Sequence, residues 1–585
     1  MKRIARRAFV GLAAGAMAAA CAPAPAPTGT SAPAKPADVP AKPAAAEAPK
    51  PTEAAKPAAP AAAAATSTPA PAAAAAKPTE APKPAEAAKP AEAPKPGARG
   101  GVFTYAEAGD FNDFNPWTYT AVNNEMYNQV FSRLTWKDGA GKINPDIATE
   151  WQMAADNLSV KLKLRENVKW HDGKPLTADD FVTMWGYTKD EALAKANGVV
   201  KIKGITAPIK DMVAADKYTL ELKFERPVPF VFDILDWFYA IRVDDKSDFS
   251  FLKKLPIGTG PFKITEWVAN QYARFPRNPD YYDKELPRLD EFMFKRLTSA
   301  ETMLPNLKSG TLDGILMTSL ADVAPLQADK NYTIDVNDSS GSFFNIQVNI
   351  NKPPLDKKEV RQALSYSLNR EEMVKSAFFG ICKPIASPFF APTSLGYRED
   401  LVLGHKFDLD RARKLLDDAG VKNLDLTIVV TPAWPQMKLF SLVWQQDLKK
   451  IGLNLKINDV ENAKFYEINT DKNLQGNDLE AWLNARVTRD PAIFWSTQRN
   501  YRGGPVNTFG FVHAEMEKLI ADGAVEPDTE KRRKIYQRLN EITLEESHVL
   551  QVATNPRLFA YGKGVGGART DLSGNLVLDQ ATVTR

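Results

Sequence analysis

The chain has 585 residues and a formal net charge of +4, from 75 basic and 71 acidic residues. This near balance argues against a nucleic-acid-binding protein, which usually carries a basic patch or stripe. The two cysteines, Cys21 and Cys382, exclude a fold held by several disulfides, and a chain of this length can bury enough apolar surface to fold without them.

The first twenty residues have the pattern of an export signal. Arg6 and Arg7 close a basic head, and the uncharged stretch 8–20 that follows is too short to span a bilayer as a helix. The paired arginines resemble a twin-arginine signal, and an ordinary secretory signal fits the same residues. We therefore predict a signal peptide over residues 1–20 and an extracytoplasmic, periplasmic or outer-surface location.

The segment Ala18-Ala19-Ala20-Cys21 resembles a lipobox, in which the cysteine is lipidated and becomes the mature N-terminus. Ala18 departs from the usual leucine, and the same alanines suit an ordinary signal peptidase. An acylated Cys21 predicts a protein anchored to a membrane surface. It also leaves Cys382 without an intramolecular partner, as a small buried hydrophobe.

Residues 21–99 consist largely of Ala, Pro, Lys and Glu in short repeats. Frequent prolines block a continuous helix, and no periodic apolar face runs through the segment. We predict a disordered tether that positions the folded part and does not select a ligand.

From about residue 100 the sequence is globular and too long for a single core, which predicts at least two lobes. Alternating apolar residues predict half-buried strands at 160–164 and 220–224. No second apolar run approaches membrane-spanning length.

A strand–helix–strand unit is predicted further along the chain. Apolar residues alternate over 424–428, recur at helical spacing over 437–451 and alternate again over 453–457, with Gly452 closing the helix. This pattern predicts an α/β fold. Trp444 lies on the apolar stripe of the helix and is predicted to be a core residue.

Polar residues that cap helices, followed three residues later by an acidic residue, predict three helix starts. The pairs are Thr177 with Asp180, Asp356 with Glu359, and Asn369 with Glu372. These are local folding signals and indicate no site.

Motifs of enzymatic chemistry are absent from the sequence, which contains no G-x-S-x-G, H-E-x-x-H or Walker phosphate loop. The four histidines, His171, His405, His513 and His548, lack the spacing of metal ligands. We predict no catalytic residues, no cofactor and no metal, and hence a protein that is not an enzyme. A cleft hydrolase, or a metal site assembled across the fold, is the alternative.

Five segments carry a family resemblance. They are NPDIATEW at 144–151, LRENVKWHDGKPLTADD at 164–180, GTGPF at 258–262, RNPDYY at 277–282 and VRQAL at 360–364. In this order they resemble the extracytoplasmic solute-binding proteins of ABC importers, in the peptide/nickel class (oligopeptide/dipeptide-binding, family 5). Most of these residues have turn or cap chemistry, with the glycines free to take positive φ, so they indicate the fold and not the ligand.

The resemblance implies an α/β, two-lobed periplasmic-binding-protein-like fold of type II, with an extra subdomain and a ligand cleft between the lobes. Lobe I would comprise 100–140, 257–344 and 554–585, with the extra subdomain at 141–256. Lobe II would comprise 345–553.

Such a protein is expected to be a monomer that captures a small organic ligand by hinge closure and delivers it to an ABC permease and ATPase complex. A surface receptor without a transport role is the alternative of another class.

In peptide-binding relatives, a Trp-x-x-Asp stretch supplies a carboxylate for the ligand's amino group, because an unpaired buried charge is costly. Trp482 matches this stretch, but Ala485 takes the place of the carboxylate. Asp490 is a candidate replacement, although its position resembles a turn. Arg486 and Arg489 favour an anionic ligand group if they face the cleft, and are otherwise solvated surface residues.

Aromatic side chains are candidate platforms for an oligosaccharide, which some relatives bind. Trp434, Trp117, Trp237 and Trp482 are the candidates, and each is also compatible with a place in the core. Asn115 completes the set of candidate ligand-binding residues. We predict a peptide or peptide-like ligand first and an oligosaccharide second.

Overall fold

The structure is a computed structural model, which describes residues 99–107, 114–117, 124–190, 200–242, 255–297, 299–338, 341–471, 474–484, 489–497 and 511–584. The predicted signal peptide, Cys21 and nearly all of the predicted tether lie outside the described residues. So do Ala485 and Arg486.

The strands of the described residues form six sheets. In chain order they are β1 (Val102–Glu107), β2 (Thr135–Lys137), β3 (Ile143–Pro145), β4 (Ala148–Met153), β5 (Ser159–Leu164), β6 (Ile209–Asp216), β7 (Thr219–Phe224), β8 (Glu266–Val268), β9 (Tyr272–Pro276), β10 (Glu291–Arg296), β11 (Gly314–Leu316), β12 (Thr333–Asn337), β13 (Phe343–Val348), β14 (Asp425–Val430), β15 (Asn454–Asp459), β16 (Leu479–Asn484), β17 (Val549–Thr554), β18 (Arg557–Tyr561), β19 (Val565–Gly566), β20 (Arg569–Thr570), β21 (Leu576–Val577) and β22 (Thr582–Val583).

The α-helices of the described residues lie around these sheets. In chain order they are α1 (Asn124–Val130), α2 (Ala178–Lys189), α3 (Val200–Thr206), α4 (Val231–Trp237), α5 (Met303–Lys308), α6 (Val323–Ala328), α7 (Lys358–Tyr366), α8 (Arg370–Ala377), α9 (Glu399–Val402), α10 (Leu409–Asp418), α11 (Pro435–Lys450), α12 (Asn462–Thr470), α13 (Pro491–Thr497), α14 (Ala514–Gly523) and α15 (Thr529–Glu546).

The first lobe is built on a seven-stranded sheet in the order β12-β18-β11-β1-β10-β9-β8. Strand β1 is parallel to β10 and β11, and β18 is antiparallel to both β11 and β12. Strands β1, β10, β11 and β12 therefore run in one direction and end at the same edge. Tyr105 packs against Phe292, Phe294 and Phe559 on one face of this sheet.

The second lobe is built on a five-stranded sheet in the order β15-β14-β16-β13-β17. Strand β14 is parallel to β15 and β16, while β13 is antiparallel to β16 and β17. Every residue of β13 and β17 is buried, and helices α8 and α11 pack against each other and against this sheet. Strands that are covered on both faces are expected to be continuously buried.

A separate four-stranded antiparallel sheet has the strand order β4-β5-β7-β6. The alternation predicted at 160–164 is confirmed, since Val160, Leu162 and Leu164 are buried and the lysines between them are exposed. The same holds for the apolar residues of β7. The sheet falls within the span 141–256.

The chain crosses between the seven-stranded and five-stranded sheets twice, after β12 and after β17. The two crossings touch each other: Asn555 donates its backbone N–H to the Ser342 carbonyl at 2.8 Å and its side-chain amide to Ser342 Oγ at 3.3 Å. The fold is thus two-lobed and α/β, with paired connecting segments of the kind at which lobes rotate.

Apolar packing is continuous between the lobes. One hydrophobic cluster contains Ala106 and Ile315 from the seven-stranded sheet together with Ile346 and Ile428 from the five-stranded sheet. The two lobes are therefore in contact in the described conformation.

The predicted strand–helix–strand unit is confirmed as β14, α11 and β15. The two strands pair in parallel, and Gly452 ends the helix with a φ of +80°. Trp444 is fully buried and donates its indole N–H to Ser367 Oγ at 2.8 Å. Cys382 is buried as predicted, and burial, with Asp338 nearby, raises the pKa of its thiol to about 12.

Two of the three predicted helix caps are confirmed. Asp180 accepts the backbone N–H of Thr177 at 2.7 Å, and the Asn369 side chain accepts the backbone N–H of Glu372 at 3.1 Å. The prediction for Asp356 was wrong. The chain is still extended at Lys357, which becomes the N-cap of α7 without a side-chain hydrogen bond. Asp356 thus lies one residue too early to cap.

The turn at 258–262 also differs from its prediction. Gly173 has a φ of +88°, as expected for a turn, but Gly258 and Gly260 do not have positive φ. Close packing requires both glycines. A Cβ at position 258 would lie 2.0 Å from the carbonyl oxygen of Val130, and a Cβ at position 260 would lie 2.5 Å from its carbonyl carbon.

Candidate functional site

The carboxyl ends of the parallel strands of the two lobes face each other. In the first lobe this edge carries Glu107 at the end of β1 and Asn337 at the end of β12, from which the chain enters the second lobe. In the second lobe it carries the ends of β14, β16 and β17, and β17 leads back. Ligands of α/β proteins bind in the crevice outside such strand ends, so this junction is the candidate site.

The sequence-based candidates fall on these two edges. Asn115 and Trp117 follow β1, Trp434 follows β14, Trp482 lies in β16, and Arg489 with Asp490 follow β16. The topology therefore places these six candidates at the junction, whereas Trp237 ends α4 and is buried in the core of the first lobe. Their side chains, however, have very different partners.

Asn115 and Trp117 are assigned to the core of the first lobe. Asn115 Oδ1 accepts the backbone N–H of Trp117 at 3.0 Å, and its carbonyl accepts the Tyr127 hydroxyl. Trp117 is fully buried and stacks on Phe238, with ring centroids 6.0 Å apart. Trp117 is a candidate platform for a sugar ring by sequence, but its burial indicates a core residue.

The two tryptophans of the second lobe are more accessible. Trp434 is 37% exposed and meets Phe344 edge to face at 6.5 Å. Trp482 is half-buried, with one ring face stacked on Phe465 at 5.6 Å and an edge contact to Tyr466.

Arg489 is neither a solvated surface residue nor a free anion-binding group. Its Nη1 lies 2.7 Å from Asp236 Oδ2 and 3.6 Å from Asp233 Oδ1, and its Nη2 donates to Ser573 Oγ at 2.7 Å. The guanidinium carbon also lies 4.2 Å from the centroid of the Trp237 ring. These partners belong to the first lobe, so the charge of Arg489 is already compensated by the protein.

Asp490 is likewise committed to the protein. It forms an ion pair with Arg532 of α15, and its Oδ1 accepts the backbone N–H of Ala492 at 3.0 Å at the start of α13. This agrees with a turn residue that caps a helix. Asp490 is therefore not a free replacement for the carboxylate that Ala485 lacks.

Asn345, the third residue of β13, was not identified from the sequence. It is fully buried, and neither atom of its side-chain amide has a hydrogen-bond partner among the described residues. It lies opposite Trp482 on β16 and Gln551 on β17. A buried polar group without a partner costs about 1–3 kcal/mol, so the Asn345 amide is a group that a ligand would satisfy.

A signal for Asn345 exists in the sequence. Residues 343–348 read Phe-Phe-Asn-Ile-Gln-Val, so two amides interrupt an otherwise apolar buried strand. Amides are mostly exposed in proteins and need a reason to be buried.

The edge of the first lobe carries a buried charged cluster of Glu107, Glu125 and Arg557. Arg557 forms an ion pair with Glu125, whose second oxygen accepts the backbone N–H of Leu576 at 2.6 Å. Glu107 accepts the Tyr105 hydroxyl at 2.7 Å. Burial, together with the Glu125 carboxylate, raises the pKa of Glu107 to about 8, against the opposing effect of Arg557.

Metal binding finds no support among the described residues, where no group of three or more His, Cys, Asp or Glu side chains is placed to hold an ion. His171 bonds to the backbone of Gly258 and Gly260, and His405 stacks on Tyr366. Burial lowers the pKa of both imidazoles to about 4. Both histidines thus have structural surroundings.

Similarity to known proteins agrees with this architecture. The family model described as "Bacterial extracellular solute-binding proteins, family 5 Middle" matches residues 142–505. The chain is 25% identical over 483 residues to the "Dipeptide-binding protein" of Escherichia coli (strain K12), covering 77% of this chain and 88% of the relative.

Solved structures share the fold. The dipeptide binding protein from Pseudoalteromonas sp. SM9913, in complex with Met-Leu, has a TM-score of 0.69 at 21% identity, covering 83% of this chain and all of the other. The binding protein AgaA from A. tumefaciens R10, in complex with agropinic acid, has a TM-score of 0.67 at 22% identity and covers 83% of this chain and 99% of that one.

Among the described residues, no helix has the length and apolar character needed to cross a membrane.

Proposed function

Because the chain belongs to the bacterial extracellular solute-binding proteins of family 5, we propose that it captures a peptide-like solute and delivers it to an ABC importer. The observation that carries the ligand class is the Asn345 amide, which is buried at the junction beside Trp482 without a partner. An amide offers one acceptor and two donor hydrogens, which complement the N–H and C=O groups of a peptide bond. The similarity to dipeptide-binding relatives supports the same class.

The electrostatics of the junction support a ligand held mainly by neutral groups. Arg489, Asp490 and Glu125 each have a charged partner within the protein. A ligand that displaced one of them would leave a buried charge unpaired, which is costly. Recognition is thus expected from hydrogen bonds and from the ring surfaces of Trp434 and Trp482.

The ligand acts by stabilising the closed form. Contacts from both lobes to one solute are complete only when the lobes have rotated together, so the solute shifts the equilibrium towards closure. The permease and ATPase complex would then recognise the closed, loaded monomer. No reaction on the solute is part of this proposal.

An oligosaccharide is the second candidate ligand. Trp434 is 37% exposed at the junction, and an exposed indole face suits the apolar face of a sugar ring. The structural similarity to AgaA, a protein solved with agropinic acid, is compatible with a ligand other than a peptide.

The experiment is native mass spectrometry of the purified full chain, followed by unfolding and identification of the released small molecules. Retained peptides, released unchanged, are the expected result. A ladder of hexose masses would instead assign the site to oligosaccharides, and a chemically altered solute would indicate an enzyme.

Two variants sharpen this experiment. Asn345→Leu is expected to retain no peptide, because the isosteric side chain removes the hydrogen bonds and keeps the volume. Asn540→Leu, in a buried amide that is paired with Ser387 and Gly396, is the matched control and is expected to keep the ligand.

The N-terminal residues are proposed to hold the protein at a membrane. Export, through the twin-arginine or the ordinary secretory route, would be followed by acylation of Cys21. The long Ala/Pro-rich segment would then let the folded part reach the permease. Cys21→Ala is expected to move the protein from the membrane fraction to the soluble fraction, and an unchanged distribution would reject the lipid anchor.

A further inference from the structure

Arg489 joins the two lobes through charged side chains. It follows β16 and precedes α13, whose Phe494 and Trp495 pack with residues of α14 and α15 in the second lobe. Its partners Asp233 and Asp236 lie in α4 of the first lobe, and Ser573 lies near the C-terminus in the same lobe. We call Arg489, Asp233 and Asp236 the interlobe ion cluster.

The interlobe ion cluster is almost completely removed from solvent. The side chains of Arg489, Asp233 and Asp236 are only 2%, 3% and 1% exposed. Although burial opposes it, the guanidinium groups of Arg133 and Arg489 hold the pKa of Asp236 below its usual value. Asp236 is therefore a charged partner for Arg489 at neutral pH.

The first lobe offsets this acidic pair only in part, because one of its two cations is shared with a third carboxylate. Asp236 also binds Arg133, which is shared with Asp571, and Asp233 also binds Lys137. The first lobe thus contributes three negative charges, on Asp233, Asp236 and Asp571, and two positive charges, on Arg133 and Lys137. The guanidinium from the second lobe brings the buried cluster to balance, which favours contact between the lobes.

We infer that Arg489 is a built-in latch, which holds the lobes closed through the interlobe ion cluster before any ligand binds. The inference rests on the proposed function, and it concerns the regulation of the same site. A receptor with such a latch has part of its binding-competent conformation already populated. Its apparent affinity for the solute increases in proportion to the fraction of empty molecules that are closed. It is therefore higher than the affinity of a receptor that is open when empty.

Arg489 is accordingly a positioning residue and not a ligand-binding residue. Removing it is expected to change the conformation of the empty protein, whereas removing a ligand contact would change only the loaded protein. This difference separates the two roles.

The experiment measures the distance between the lobes in the ligand-free full chain by double electron–electron resonance. Spin labels are attached through Lys161→Cys and Lys531→Cys, two exposed positions in different lobes, in a Cys21→Ser background. Cys382 is buried and its pKa is raised, so it stays unlabelled. The empty wild-type chain is expected to give a substantial population at the short, closed distance.

Arg489→Ala is expected to add a longer-distance population and to lower the ratio of closed to open molecules about tenfold or more, the size of effect seen for charge pairs at interfaces. Arg489→Lys keeps the charge but loses the planar contacts to Trp237 and Ser573, so an intermediate distribution is expected. Arg413→Ala is the matched control, because its guanidinium pairs with Asp410 on the surface of the second lobe.

An unchanged distance distribution in Arg489→Ala would overturn the latch. If that variant does not fold, Ser573→Ala and Arg489→Lys replace it as the test. Each of these changes weakens the interlobe ion cluster without leaving both carboxylates unpaired. Wild-type distance distributions in both variants would overturn the latch. Failure of the proposed function is distinguishable: an empty chain that stays closed but retains no peptide in native mass spectrometry would reject the ligand and keep the latch.

Discussion

The two facing sheet edges differ in chemistry. The edge of the first lobe carries the ionisable side chains Glu107, Glu125 and Arg557, which are buried and interact with one another. The edge of the second lobe carries the neutral side chains Asn345, Trp434 and Trp482, and the amide of Asn345 has no partner in the described structure. A buried charge must be paired for the fold to be stable, whereas an unpaired amide costs much less. The charged edge thus serves the fold, and the neutral edge is the one that we propose contacts the ligand.

The interlobe ion cluster extends this difference. Arg489 is the charged group that the second lobe contributes to the acidic helix α4 of the first lobe. Its neighbour Asp490 remains within the second lobe, on Arg532. Two adjacent charged residues therefore have separate structural roles, one between the lobes and one within a lobe.

The largest effect is expected at the charged edge. Arg557→Ala leaves the Glu125 carboxylate buried without its cation, and the free energy of unfolding is expected to fall by about 3–5 kcal/mol. Urea denaturation of the ligand-free chain measures this. Arg413→Ala, a surface control, is expected to change it by less than about 0.5 kcal/mol. A loss at Arg557 no larger than the control would contradict a structural role for this edge.

The pH dependence of stability tests Glu107. The folded chain keeps the Glu107 proton up to about pH 8, while an unfolded glutamate, with a pKa of 4.5, has lost it. The folded chain therefore binds more protons between these values, and its free energy of unfolding falls as the pH rises, by at most about 1.4 kcal/mol per pH unit. Below the unfolded value the contribution of this group is fully present.

Glu107→Gln removes this titration and keeps an acceptor for the Tyr105 hydroxyl. The stability of the variant relative to wild type is expected to increase steadily between about pH 5 and about pH 8. Urea denaturation at each pH, with Glu301→Gln as an exposed control, gives the difference. A difference that stays constant with pH would show that Glu107 is ionised in the folded chain.

The smallest effect is expected at the neutral edge. Asn345→Leu removes an unsatisfied buried amide, so the ligand-free chain is expected to become more stable by about 1–2 kcal/mol. Asn540→Leu, which breaks two hydrogen bonds of a paired amide, is expected to do the opposite. Urea denaturation compares the two variants. If Asn345→Leu is destabilising to the same extent as Asn540→Leu, the Asn345 amide is not reserved for a ligand.

Local features of the fold could be predicted from the sequence. The alternation in β5, the β14–α11–β15 unit, the buried Trp444 and the caps at Thr177 and Asn369 all follow from residues close together in the chain. Patterns of this kind depend on the periodicity of a single helix or strand. The two-lobed arrangement was predicted from the family resemblance, and the similarity to solved structures supports it.

The roles of the site residues could not be predicted in the same way. Whether Arg489 is a surface residue, a ligand contact or a bridge between lobes depends on Asp233 and Asp236, which are distant in sequence and belong to the other lobe. The requirement for glycine at 258 and 260 likewise comes from the approach of Val130 and not from the turn itself.

The sequence by itself determined several helices and strands, the α/β class and the family, because these are encoded in local periodicity and in short ordered motifs. Only the tertiary structure decided which polar groups are paired and which are not. Pairing depends on distance in space, and for Asn345 the decisive fact is that the folded lobe buries its amide and that none of the described residues offers it a partner.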